Sequence, residues 1–325
     1  MKPGNSPILE YLRFFRIDSA SAPMTYLVLG YLLGGGSLLS GGTALWLLFG
    51  IVFQMAGFGD NNVQDIKHDL ADPNKSSFPL GRSIPIGDVR RLVIGLHVLG
   101  LAFALFISGS LAAASIFGVS YVSGIAYNRT SKARTFAPFL FGLTFAPLAL
   151  FSFLSAAGRV GSMILLVAAL CFFECLFQNA VATSLKDVEA DSVNVMKRLG
   201  ARLESGRLIV PGSVKGVTYS IKGFEVALLV GLADFSQPWT VIFGLMFLVV
   251  SLAGAFMTIR PRAWEERRRL MFQAAVSEIG LFYAVIWLLL IGLGPVSSFF
   301  LAVFPLVWYV AVKRAVWGSV SRVMA

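Results

Sequence analysis

The chain has 325 residues, of which 57% are hydrophobic and only 14% charged, and a formal net charge of +10. A soluble domain averages about 25% charged residues and cannot hide this much apolar surface, so the composition excludes one. With a mean hydropathy of +0.77 the chain reads as a single-domain, all-helical, polytopic membrane protein. The basic excess does not imply nucleic acid, because its placement follows topology.

The first residues hold no short apolar region with a small-residue cleavage site, so no removable signal peptide is expected. Apolar stretches long enough to span, roughly 20 residues each, fall near 22–40, 43–60, 92–110, 111–127, 137–155, 161–185, 219–233, 239–258, 270–291 and 296–312. The seventh is short and 92–127 has almost no polar break, so nine or ten transmembrane helices are expected. With the N-terminus inside, every one of the 27 Lys and Arg except Arg159 and Lys222 falls in an inside segment. The positive-inside rule then puts the N-terminus and the polar loops described below on the cytoplasmic side.

Residues 1–21 place Glu10, Arg13, Arg16 and Asp18 among apolar residues at helical spacing. This predicts an amphipathic interfacial helix that could lend Arg16 to a site at that face. The glycines of the first two spans (Gly30, Gly34, Gly35, Gly36, Gly41 and Gly42) let membrane helices approach closely. The second span runs into an acidic stretch containing Asp60, Asn61, Asn62, Asp65, Asp69 and Asp72. On a continuing helix Asn61, Asp65 and Asp69 share one face, where paired carboxylates repel unless a cation lies between them. The helix must stop at Asp72-Pro73, and the loop that follows brings Lys75 and Arg82 beside the acids.

Further along, Tyr127-Asn128-Arg129-Thr130-Ser131-Lys132 forms a short basic loop. The sixth span is polar along one side, with Asn179, Thr183, Asp187 and Asp191 at successive i+4 positions and Lys186 flanking them. Cys171 and Cys175 read as small apolar residues of that span. Glu174 lies deeper and calls for a polar neighbour or a proton, while Glu225 and Glu278 have no assignable partner. The inside face alternates acidic-then-basic with basic, which suggests two four-helix pseudo-repeats, about 22–136 and 137–269, followed by C-terminal helices in 270–325.

Two carboxylate packets, basic loops beside them and an apolar bundle below suit an isoprenyl diphosphate, with its anionic head and greasy tail. Carboxylates cannot bind diphosphate directly, so Mg²⁺ must bridge them. Lys and Arg neutralise the remaining charge as diphosphate leaves. An ion-coupled transporter is a remote alternative, because the acid packets lie at the ends of spans rather than at the midplane.

These residues resemble the UbiA superfamily of intramembrane prenyltransferases. Its N-D-x-x-D-x-x-x-D motif corresponds to Asn61-Asn62-x-x-Asp65-x-x-x-Asp69, and its D-x-x-x-D motif to Asp187-x-x-x-Asp191 after Lys186. Lys75…Phe78-Pro79-Leu80, Tyr127-Asn128…Lys132 and Arg16 resemble further stretches of that family. The chain departs from it at Asn62, where Asp is usual, at Ser83, and after Asp191. The resemblance implies a bundle of about nine helices around a central cavity. It also implies Mg²⁺-dependent transfer of a prenyl group to an aromatic or lipid acceptor, through an allylic carbocation and with diphosphate release. It assigns Asn61, Asp65 and Asp69 to one Mg²⁺ and Asp187 and Asp191 to another, these four Asp being the catalytic set. Lys75, Arg82, Arg129, Lys132 and Lys186 would hold the diphosphate, with Asn61, Asn62, Tyr127, Asn179 and Arg16 completing the substrate site. Within the same superfamily, terpene cyclisation without an acceptor is the rival reading, motivated by Asn62 and the segment after Asp191.

Overall fold

The computed structural model describes residues 7–66, 84–189, 193–260 and 267–318. A short helix α1 (Pro7–Phe14) and a 3-10 turn (Ile17–Ala20) lead into α2 (Ser21–Leu33). Then follow α3 (Gly41–Gln64), α4 (Ile86–Ile107), α5 (Leu111–Thr130) and α6 (Ala137–Ala157). Helix α7 (Ser162–Leu176) continues through a π-helical segment (Phe177–Thr183) to Lys186. A small antiparallel hairpin (Arg202–Glu204 with Arg207–Ile209) precedes α8 (Gly212–Leu232), α9 (Pro238–Thr258), α10 (Arg267–Leu288) and α11 (Pro295–Trp317).

Eight of the described helices, α3 to α7 and α9 to α11, are long and apolar enough to cross a membrane. Helix α2 has only 13 residues, and α8 carries Lys215, Lys222 and Glu225, so these two fall short of the nine or ten spans expected, although both pack in the bundle. The apolar run 92–127 is divided by local chemistry. Gly109 takes a left-handed φ of 64°, and the Ser110 side chain caps α5 by accepting from Ala113 N at 3.1 Å.

Close approach holds the bundle together, because lipid offers helices no hydrophobic reason to associate. A Cβ on Gly30 would run into the Ala149 carbonyl and the Ser152 hydroxyl, so α2 lies directly on α6. A Cβ on Gly254 would sit 2.6 Å from Ser277 N, which fixes α9 against α10. Between α3, α5 and α6 the core is aromatic: fully buried Phe49 lies edge-on to Phe117 at 5.4 Å and to Phe151 at 5.9 Å. The outward faces of α4 and α9 expose Ile94, Val98, Leu105, Ile242, Leu245 and Val249, a surface suited to lipid.

The N-terminal segment is not the single interfacial helix expected. Arg16 adopts a left-handed conformation (φ 47°) that breaks it, and Phe14, Phe15 and Ile17 are buried. Helix α11 clamps this segment: Trp308 Nε1 donates to Ile17 O at 3.0 Å, and Arg13 Nε donates to Val316 O at 2.9 Å. Tertiary contact thus overrides the amphipathic pattern.

One cluster of charge is buried between α7 and α8. Lys222 Nζ lies 2.6 Å from Glu174 Oε2 and 2.8 Å from Glu225 Oε2, over the Phe177 ring. Gln178 Nε2 donates to Glu174 Oε1 at 2.7 Å, so both Glu174 oxygens are engaged. Lys222, an exception to the basic-residue pattern, is the counter-ion for Glu174, which called for a polar neighbour or a proton, and for Glu225, which had no assignable partner.

Candidate active site at one end of the bundle

Helices α3, α5 and α7 run in the same sense, and their C-terminal ends carry the polar residues singled out in the sequence. Helix α3 ends at Gln64, with Asp65 as its C-cap; the chain is helical again at Ile66, and the stop expected at Asp72-Pro73 lies outside the described residues. Ile66 is buried in one cluster with Phe14, Phe15 and Ile84. Asn61 and Asp65 still meet, Asn61 Nδ2 donating to Asp65 Oδ2 at 3.3 Å. The helical face expected for Asn61, Asp65 and Asp69 is described only for the first two. Asp69, Lys75, Arg82 and Asp191 lie outside the described residues.

Asn62 points elsewhere. It is 1% exposed, and its Nδ2 donates to Phe14 O at 2.6 Å. A carboxylate in that position could not donate, and would set two acceptors face to face. Asn62→Asp, which introduces the residue usual in the resembled motif, is therefore expected to cost about 1–3 kcal/mol. Faster proteolysis of the N-terminal segment would reveal it; unchanged stability would show that this hydrogen bond contributes nothing.

From α5, Asn128 reaches α3: its Nδ2 donates to Asp60 Oδ2 at 2.9 Å and to Gly57 O at 3.0 Å. The adjacent Tyr127 reaches α7, its hydroxyl accepting from Asn179 Nδ2 at 2.8 Å. A polar bridge thus runs from the end of α3 through Asn128 and Tyr127 to α7. Asp60 and Asn128 were not among the assigned site residues. Asn128 stands beside Tyr127 in the sequence, but an asparagine is also an ordinary helix-end residue, so only its partner reveals its role.

On α7 the i+4 series expected from Asn179 to Asp187 is interrupted by the π-helical segment (Phe177–Thr183), and the helix ends at Lys186. A π turn shifts the following residues around the axis, and such turns recur at functional sites. Here Asn179 faces Tyr127, and Asp187 leaves the helix in a turn, with Oδ2 3.5 Å from Lys186 Nζ. Beyond it Asn194 folds the chain back, its Nδ2 donating to Ser184 O at 2.7 Å.

Cations surround this end. Arg16 places its guanidinium 5.6 Å from the Phe58 ring centroid, and Phe58 precedes Asn61 and Asp65 on the same helix. Arg129 is exposed at the end of α5, and Lys132 follows it. The oxygen donors Asn61, Asp65 and Asp187 suit a hard cation such as Mg²⁺ rather than a thiophilic one. The Asn61 amide turns its nitrogen to Asp65, leaving its oxygen available to a cation. Among the described residues, no three His, Cys, Asp or Glu side chains cluster as a metal site. The cysteines lie elsewhere, as buried free thiols.

A sequence model of the UbiA prenyltransferase family matches residues 22–277. No curated protein sequence matches significantly. Among solved structures, a digeranylgeranylglyceryl phosphate synthase shares the fold at TM-score 0.62 and 16% identity, over 86% of this chain and 98% of its own. A UbiA homologue from Aeropyrum pernix K1 aligns at TM-score 0.60 and 16% identity, over 82% and 97%. One from Archaeoglobus fulgidus, bound to GPP and Mg²⁺, aligns at TM-score 0.54 and 17% identity, over 95% and 99%.

Proposed function

Because the chain belongs to the UbiA prenyltransferase family, we propose that it transfers a prenyl group from an isoprenyl diphosphate to an aromatic or lipid acceptor within the membrane. The observation that carries this reading is the polar bridge through Asn128, Tyr127 and Asn179, which ties the Asp65 end of α3 to the part of α7 leading to Asp187. The family and the eight membrane-length helices make this a multi-pass membrane protein. The distribution of Lys and Arg supports a cytoplasmic position for the site.

In the proposed reaction the allylic C–O bond breaks and its electron pair leaves with the diphosphate. An electron pair of the acceptor then attacks the allylic cation, and the acceptor loses a proton. Asn61, Asp65 and Asp69 would hold one Mg²⁺, and Asp187 and Asp191 a second. Bound there, Mg²⁺ supplies charge neutralisation to the diphosphate oxygens. Lys186, Arg129, Lys132 and Arg16, with Lys75 and Arg82, would hold the outer charge of the diphosphate, and the apolar bundle screens the cation from water. The Archaeoglobus fulgidus homologue bound to GPP and Mg²⁺ supports this ligand class.

Cyclisation without an acceptor is the second reading. It drew on Asn62, yet the Asn62–Phe14 hydrogen bond gives that residue a packing role sufficient to explain it. A coupling ion for the transporter reading would need free acids within the bundle, and of Glu174, Glu225 and Glu278 the first two have Lys222 as a partner. Incubating the purified protein with Mg²⁺ and geranyl diphosphate, with and without an acceptor, decides between transfer and cyclisation. A prenylated acceptor is expected; hydrocarbon formed in its absence would overturn transfer in favour of cyclisation.

A further inference from the structure

We propose that Trp308 and Asn62 are positioning residues: from two different helices they hold the backbone on either side of Arg16 and so fix its guanidinium at the diphosphate end. The proposal rests on the prenyl-transfer reading, in which Arg16 helps to hold the outer charge of the diphosphate. Both residues act through Arg16 rather than on the substrate.

Arg16 is an exposed side chain within a buried stretch. Phe14, Phe15, Ile17 and Asp18 are each 7% exposed or less, whereas Arg16 between them is exposed. Its backbone is left-handed (φ 47°), and among the described residues Ser205 is the one other non-glycine with a positive φ. Such a conformation is uncommon outside glycine, asparagine and aspartate, and it persists where the surroundings over-determine it.

Three side-chain donors take the carbonyls around Arg16. Asn62 Nδ2 donates to Phe14 O at 2.6 Å, Gln54 Nε2 to Arg16 O at 3.4 Å, and Trp308 Nε1 to Ile17 O at 3.0 Å. Gln54 and Asn62 are 2% and 1% exposed, so both amides are committed to this segment. Gln54, Phe58 and Asn62 follow one another at i+4 and share a face of α3. Phe58 receives the Arg16 guanidinium over its ring at 5.6 Å, about one turn before Asn61. Helix α3 thus carries both the amides that hold the Arg16 backbone and the ring that holds its charge. From α11 come Trp308 and the buried Lys313, which pairs with buried Asp18 at 3.8 Å.

An arginine side chain has several rotatable bonds, and ordering it around an anion costs entropy. With the backbone of this segment already fixed, only the side chain remains to be ordered when the diphosphate binds, and such preorganisation raises affinity. The gain is in binding of the substrate as such, so it shows in KM rather than in kcat. Arg16 and α11 both lie outside residues 22–277 matched by the family pattern. The hold on Arg16 is therefore built in part from segments that the shared pattern does not describe.

The test is a double-variant cycle on the full-length protein in detergent, read as KM and kcat for pyrophosphate release from geranyl diphosphate with Mg²⁺. Trp308→Phe keeps an aromatic ring and removes the N–H donor. It is expected to raise KM about three- to tenfold and to leave kcat within about twofold. In an Arg16→Ala background the same change should shift KM by less than about twofold, because residues that act through one another are not additive. Trypsin cleavage of the Arg16–Ile17 bond needs no catalysis by the protein. It should be at least about fivefold faster in Trp308→Phe and in Asn62→Leu, since cleavage follows local opening. A parent that releases no pyrophosphate would count against the proposed reaction, and the trypsin result would still decide whether Trp308 and Asn62 hold Arg16. An unchanged KM in Trp308→Phe, an equal rise with and without Arg16, or cleavage as slow in both variants as in the parent would overturn the proposal.

Discussion

Alanine at Asp65 or Asp187 is expected to lower turnover of an isoprenyl diphosphate by about 10²-fold or more, the usual loss when a principal charge stabiliser is removed. Asp65 is the C-cap of α3 and accepts a 3.3 Å hydrogen bond from Asn61, so its variant is compared with the parent for folding before turnover is read. Asp187 is part-exposed beside Lys186 at 3.5 Å, a pair of the kind that contributes about 0–1 kcal/mol. The assay is pyrophosphate release, run beside thermal unfolding of each variant. Unaltered turnover in either correctly folded variant would remove that carboxylate from the proposed mechanism.

Lys222→Met is expected to produce the largest loss of stability, about 3–5 kcal/mol, the cost of removing one partner from a buried ion pair. Lys222 is 3% exposed, and its ammonium is shared by Glu174 at 2.6 Å and Glu225 at 2.8 Å. Without it, Glu174 and Glu225 are left in a buried setting with no other described cation paired to them. Replacing the whole cluster, Glu174→Gln and Glu225→Gln together with Lys222→Met, should restore most of the stability, because neutral groups of similar shape carry no such desolvation cost. Thermal unfolding in detergent measures both. A single Lys222→Met variant as stable as the parent would show that the cluster is not held by charge.

The membrane bundle was legible because hydropathy and the distribution of Lys and Arg are properties of segments, which survive ignorance of contacts. The acidic motifs stood out in the sequence as spacing within one stretch, and of them the structure describes Asn61, Asn62, Asp65 and Asp187. What spacing could not give was the partner across the bundle. Asn62 stood as a departure within a motif, and its hydrogen bond to Phe14 spans 48 positions. Asn128 bonds Asp60 across 68 positions, and no periodicity links them. Glu225 had no assignable partner although Lys222 is one helical turn away, because a buried pair at i, i+3 reads like any surface pair until burial is known. The helical series of polar residues on α7 misled for another reason: it assumed an unbroken 3.6-residue period, and the π-helical segment (Phe177–Thr183) changes that period.

The most direct measurement is pyrophosphate release from geranyl diphosphate by the purified full-length protein, with Mg²⁺ present and then removed by a chelator. Release is expected to depend on Mg²⁺, to disappear on chelation and to return when Mg²⁺ is restored. Release that continues unchanged without a divalent metal would contradict that expectation.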